Sequence, residues 1–443
     1  MASQLGKLLT GARAKGKLYW TTAVLITFSG VYLTHLLHEK HVWSDAHYLI
    51  YRVFQKANWQ RTNPSRTVIV EITDDDYWKG ELARRIPLKR SYLAKLIKAL
   101  DSANPQVIAI DFQLRSPTVD GNPREHPDYQ CETQDFLSTV KDVASRRSVI
   151  LPASIGPGYI LESSIYTGYD FGPNSSILTG YIELPYDLRN LPLALALKNR
   201  PGKLDSFSGA TVRAIGDKAI AHLERGEGER LPFGSYFDRT SFDHVLAADV
   251  LKGNRVAKDI VKYKIALVGA TWHQFAYNRG PLADAFHSPM GEIPGVYVHA
   301  NFIESVLKDR VYYPLPRAAE VAIEVTLVLA LAVVFALPIG GWNKCFSVCG
   351  SCVLLLVVAY LSFQNLGLFF DFFIPVLMVA THAVFDEVRE WRKKAIEFDN
   401  EHAKGGFDAQ IQQYASAADF DRGLASLPNI GKPDRPEQAR RSE

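Results

Sequence analysis

Three aspartates, Asp74, Asp75 and Asp111, each follow a run of apolar, largely β-branched residues. Asp74 and Asp75 close the run TVIVEIT that begins at Thr67, and Asp111 closes VIAI at Val107 to Ile110. In a parallel sheet these would be the carboxyl ends of two neighbouring strands. Carboxylates gathered there offer oxygen ligands to a hard cation such as Mg²⁺ or Ca²⁺, or accept hydrogen bonds from a small polar ligand. The competing role for such residues is to cap helices or hold loop amides. Arg90, Thr271, His299 and Asn301 sit at the ends of neighbouring predicted elements and would share the same edge. Asp74, Asp75, Arg90, Asp111, Thr271, His299 and Asn301 are therefore the candidate ligand-binding set. Asn301, just ahead of a helical stretch at 302–308, equally suits an N-cap. No nucleophile with an adjacent base accompanies them, so catalysis is not expected. No cofactor is implied by these residues.

A second cluster, His35, His38 and His41, repeats at i, i+3, i+6. One helical face would carry two or three imidazoles, able to ligate a metal or titrate near neutrality. Three ligands one turn apart cannot enclose a metal unaided, and an interfacial belt is the alternative. The candidate metal ligands are Asp74, Asp111, His35 and His38.

The elements that must position these residues alternate in type. Strand signals at 67–73, 106–111, 148–153 and 264–270 are interleaved with helical stripes at 90–100 and 137–143, and the stretch 296–307 continues into a helix. The near-continuous apolar strands suit a sheet covered on both faces. This alternation predicts an α/β domain with a mainly parallel central sheet. Residues 156–234, dense in Gly, Pro, Ser and Tyr, read as an insertion or second half folded onto that sheet. They hold a strand-like piece at 180–184 and a helix candidate at 208–224.

Four apolar stretches flank this domain, at 18–37, 319–337, 345–363 and 366–385. Each approaches the roughly 20 residues a helix needs to cross a bilayer. Lys7, Arg13, Lys15 and Lys17 precede the first; Lys344 lies between the second and third; Arg389, Arg392, Lys393 and Lys394 follow the last. Basic residues mark the cytoplasmic ends of spans. The expected order is a cytoplasmic 1–17, a large outer domain at 38–318, and a cytoplasmic juxtamembrane helix and tail at 386–443. A cleaved signal peptide is the alternative for 18–37, although Leu36-Leu37-His38-Glu39 lacks the small residues of a cleavage site. The net charge of +3, with no basic stripe interleaved by aromatics, argues against nucleic-acid binding. Cys131 alone falls in the outer domain, so no internal disulfide can form there. Cys345, Cys349 and Cys352 share one helical face and read as small-residue helix packing.

Several ordered stretches carry a resemblance. These are Val68-Ile-Val-Glu-Ile-Thr-Asp-Asp with Ile86-Pro87 and Arg90; Val107-Ile-Ala-Ile-Asp111-Phe112; Phe242-Asp-His-Val-Leu246; Lys264-Ile-Ala-Leu-Val-Gly-Ala-Thr271; Ser288-Pro289; and Pro294-Gly-Val-Tyr-Val-His-Ala-Asn301. Together they resemble the type-two CHASE (CHASE2) domain, an extracytoplasmic sensor module of bacterial cyclases and kinases. The family layout, one span before the domain and three after, is also similar, and implies a multi-pass protein of the bacterial inner membrane with its domain in the periplasm. Members commonly carry an output enzyme after the last span. Residues 386–443 show neither strand–helix alternation nor a Gly-rich phosphate loop, so no enzyme activity is expected in this chain.

What the resemblance implies is a sensor acting through a separate cytoplasmic effector. The alternatives are a structural subunit using the domain for assembly, and a membrane-anchored metal-dependent hydrolase using the acidic cluster. Partners expected are membrane lipid, further copies of the chain in a homo-oligomer, and that effector. The apolar stripe Val388, Trp391, Ala395 and Ile396 is the candidate contact.

Overall fold

The computed structural model describes residues 44–57, 63–115, 128–173, 175–216, 220, 231–276, 279–336 and 341–369, with scattered helical residues between 21 and 36 and between 388 and 397. The first half runs α1 (Ser44–Ala57), β1 (Thr67–Ile72), α2 (Arg90–Ser102), β2 (Val107–Ile110), α3 (Tyr129–Ala144), β3 (Ser148–Ala153) and β4 (Ile177–Tyr181). Then come α4 (Phe207–Ala214), β5 (Phe233–Gly234), β6 (Asp243–Leu246), α5 (Ala247–Leu251), α6 (Arg255–Val261) and β7 (Ile265–Ala270). A hairpin of β8 (Ala285–Ser288) and β9 (Gly291–Pro294) leads into α7 (Gly295–Leu307), β10 (Val311–Pro314), α8 (Arg317–Ala336), α9 (Gly341–Leu366) and β11 (Leu368–Phe369). Shorter antiparallel pairs decorate the loops.

Six strands form one sheet in the order β6-β1-β7-β2-β3-β4, every neighbouring pair parallel. β1 and β7 are buried at all positions, because side chains alternate between two covered faces. Val68, Val70, Ile108, Ile110, Val149 and Val268 point to a layer holding α2, α3, α5 and α6. Ile69, Val107, Ala109, Ile150, Ile265 and Leu267 point to the opposite layer, with α1, α4 and α7. The described part of the segment 156–234 folds onto the sheet, supplying edge strand β4 and helix α4.

Two expectations are corrected. β1 and β2 are not neighbours, since β7 lies between them and pairs with both. Asp74 and Asp111 are thus separated by a strand, about 10 Å at the usual spacing. The helix carrying His299 and Asn301 begins at Gly295, so Asn301 is a mid-helix residue and not a cap. Valine-rich GVYVHAN has strand-like propensity, yet every residue of α7 from Gly295 to Val306 is buried. Burial overrides propensity here.

α7 lies against β7 at a position that tolerates no Cβ. A methyl group built on Gly269 would come within 2.4 Å of Val296 Cβ.

Among the described residues, Cys349–Leu366 within α9 is the one segment long and apolar enough to cross a membrane. Phe346, Val353, Leu354, Val358 and Leu366 are exposed along it. α8 occupies most of the stretch expected as the second span. The spans expected at 18–37 and 366–385 lie largely outside the described residues, as do His35, His38 and His41.

Gly269→Ala is expected to destabilise the domain by about 1–3 kcal/mol, the usual cost of overpacking. The companion change Val296→Ala should recover part of the loss in the double variant, read from thermal midpoints.

Candidate functional site

Adjacent strands β2 and β7 send their chains to opposite layers, β2 into α3 and β7 through the hairpin into α7. Such divergence leaves a crevice beyond the carboxyl ends of the strands, where open α/β sheets bind ligands. A cavity of about 400 Å³ occupies it here. Asp111, Phe112 and Gln113 enter from β2, Ala270 and Trp272 from β7, and Ile182, Glu183 and Leu184 from the end of β4. Ala283, Asp284 and Phe286 come from the hairpin region, Gly295 and His299 from the first turns of α7.

Asp111, Asp284 and His299 are the polar groups nearest the start of α7. The Asp111 side chain is 8 % exposed, and its Oδ1 lies 3.7 Å from His299 Nε2. Among the described residues nothing hydrogen-bonds the Asp111 carboxyl. Burial, with the Asp284 carboxyl nearby, pushes Asp111 well above the usual carboxylate range. Burial raises Asp284 as well, opposed by the Gly295 N–H. Asp284 sits where Gly295 has no side chain: a Cβ there would lie 2.3 Å from Asp284 Oδ2. His299 is pushed down to about 3 by burial, opposed by the backbone of Ile182, and is therefore a neutral imidazole. Its Nδ1 lies 3.2 Å from Ser208 Oγ.

The other candidate residues lie elsewhere. Asp74 accepts from the His273 N–H at 3.0 Å and from its Nδ1 at 2.7 Å, which spends both oxygens on loop support. Asp75 is exposed and pairs with Lys79 at 3.0 Å. Arg90 is buried between α2 and α3, where its guanidinium donates to Tyr129 Oη and to Thr133 Oγ1 and lies 3.8 Å from the Tyr129 ring centre. Thr271 donates to the Ile72 carbonyl through N at 3.0 Å and Oγ1 at 3.3 Å. Asn301 accepts from the Phe237 N–H at 2.6 Å and donates to the Tyr297 carbonyl at 2.7 Å. Asp111 and His299 thus meet in one cavity, and Asp74, Asp75, Arg90, Thr271 and Asn301 are not part of its lining. Among the described residues no group of three His, Cys, Asp or Glu side chains could hold a metal ion. The residues that sequence reasoning missed are Asp284, Glu183 and the aromatic wall. The sequence signal for Asp284 is faint, a single acid between small residues, because only hairpin pairing returns it to the sheet edge.

The CHASE2 domain family matches residues 23–339. The chain belongs to the CHASE2 family. This family is one of extracytoplasmic sensor domains, and the cavity, the sheet and α8 all fall inside the matched stretch. No curated protein and no solved structure matches the chain.

The CHASE2 domain is packed onto the end of α9, beyond the matched residues. Phe363 stacks on Tyr312 at 4.0 Å between ring centres and meets Tyr51 edge-on at 6.1 Å and Phe54 at 5.5 Å. β11 extends this joint by pairing with β10, which pairs in turn with β5. Phe369 lies 5.1 Å from Tyr51 and 5.6 Å from Phe233. The far half of α7 is bonded to the same region. Ser305 Oγ donates to the Ser235 carbonyl at 3.0 Å, Asn301 holds the Phe237 N–H, and the Phe302 ring sits 6.0 Å from Tyr236. One helix of about 20 Å therefore has its first turns in the cavity and its last turns on the joint.

The raised Asp111 makes a pH-dependent contribution whose sign follows from linkage. A carboxyl with a raised folded pKa contributes stability in full below its ordinary value of 3.8, and loses it as pH rises through the folded value. Asp111→Asn is expected to raise the thermal midpoint relative to the parent at pH 7–8, with the gain shrinking toward pH 4. His299 acts in the opposite sense: its contribution is full above 6.5 and falls away as pH drops toward about 3. A uniform loss of stability in the Asn variant would instead mark Asp111 as structural support.

Proposed function

We propose that this chain is a multi-pass sensor of the bacterial inner membrane, with its CHASE2 domain in the periplasm, passing a stimulus to a separate cytoplasmic partner. The observation that carries this reading is the aromatic joint. Tyr51, Phe54 and Tyr312 of the outer domain enclose Phe363 near the end of an apolar helix on which Val353, Leu354 and Val358 are exposed. A core helix of a soluble protein would bury Val353, Leu354 and Val358; exposed residues of this kind suit lipid. A change in how α7 seats against the sheet would be felt at β5 and β10, and so at Phe363, because close-packed interfaces do not deform continuously.

On the cytoplasmic side, Val388, Trp391, Ala395 and Ile396 are helical and exposed. They are the proposed contact for an effector or for another copy in a homo-oligomer, while Arg392 and Lys393 would hold anionic lipid at about 1 kcal/mol per residue.

Two outcomes test this reading. A reporter active only in the cytoplasm is expected to work when fused after Glu443 and to fail when inserted near Gly226; activity at both places would remove the layout. Replacing Trp391 and Ile396 by polar residues should disrupt signalling more than deleting residues 405–443, and crosslinks from position 391 should capture protein. Crosslinks to lipid alone, with an unchanged cellular phenotype, would contradict the tail's role.

A further inference from the structure

Among the described residues the cavity carries three acids and no cation. Asp111, Glu183 and Asp284 line it, with His299 held neutral, and no described Lys or Arg contributes to the wall. Arg115, the cation nearest Glu183 in effect, is paired with Glu162 at 2.6 Å. Glu183 is partly satisfied, since it accepts from the Ile155 N–H at 2.7 Å. Asp111 is not: its side chain is more than nine-tenths buried, faces the cavity, and receives no hydrogen bond from any described residue. A buried carboxyl left unpaired is costly unless a partner arrives.

The remaining walls decide what kind of partner fits. Phe112, Trp272 and Phe286 with Ile182 and Leu184 make most of the surface apolar. Trp272 is fixed in place, stacked on Tyr77 at 4.4 Å between ring centres. A bare divalent ion would fill little of 400 Å³ and would find no third ligand of the usual kind among the described residues. An anion would meet two carboxyls without a counter-charge.

We infer that the cavity is a binding site for a small organic cation, a protonated amine on an apolar body, with the ammonium donating to Asp111 and Asp284 and the body lying against Phe112, Trp272 and Phe286. Charge-assisted hydrogen bonds to two carboxylates offset the desolvation that each suffers alone. The inference rests on the sensor reading for its consequence in the cell, but not for binding itself.

The test uses the full-length chain in detergent and three probes matched in size: phenethylamine, 2-phenylethanol and phenylacetate. Isothermal titration is expected to show binding in the order amine, then alcohol, with phenylacetate not bound. Asp111→Asn and Asp284→Asn should each weaken the amine by roughly tenfold or more, while a surface control, Asp75→Asn, leaves it unchanged. Circular dichroism of each variant shows that it has folded. Equal or better binding of phenylacetate, no binding of the amine, or an amine affinity untouched by both folded cavity variants would overturn the inference. So would tight binding of Ca²⁺ or Mg²⁺ that depends on Asp111, since the site would then be a metal site. Binding of the amine with failure of the topology reporters would remove the sensor reading and keep this one.

Discussion

The contact between Gly269 and Val296 fixes the position of everything that could bind or transmit. Parallel strands buried on both faces need a helix pressed closely against β7, and only a residue without a side chain admits α7 at that distance. That seating brings Gly295 under Asp284 and carries His299 to within 3.7 Å of Asp111. It also sets the far end of α7 against residues 233–237. A shift of one turn would take His299 away from Asp111 and leave the joint without its brace.

The electrostatics of the cavity follow from the same geometry. Asp111 projects from the end of a strand into a crevice walled by α7, the hairpin and the end of β4. Burial is the first cause of its displacement toward the neutral form, and Asp284 the second. His299 lacks a charge that could compensate, because burial keeps it unprotonated. The site is therefore left with two acids and no compensating cation among the described residues. Asp74 shows the contrast: at the end of β1 it is engaged by His273 at close range. The aspartates at the ends of β1 and β2 thus hold different roles, one supporting a loop and one facing a cavity.

Much of this was legible in the sequence. The parallel strands declared themselves through apolar runs such as VIAI and IALVGA, and the terminal aspartates through the change from apolar to acidic. Strand order was not legible. β7 arrives late in the chain yet inserts between β1 and β2, and only long-range pairing reveals it. Arg90 misled because it starts a helix next to the expected sheet edge, whereas here it closes the gap to Tyr129 on α3. Asn301 misled because an Asn ahead of an apolar stretch resembles a cap, whereas it braces α7 to Phe237. Asp284 carries only a faint local signal and Phe363 none; their meaning comes from what folds against them.

The central claim is that the state of the cavity reaches the membrane helix through α7 and the aromatic joint. Hydrogen–deuterium exchange of the full-length chain in lipid nanodiscs, comparing the parent with Asp111→Asn at pH 8, tests it most directly. Exchange is expected to change at the cavity rim and also in residues 360–369 and 44–57, which form the joint. A change confined to the rim, with both joint segments unaltered, would contradict the account.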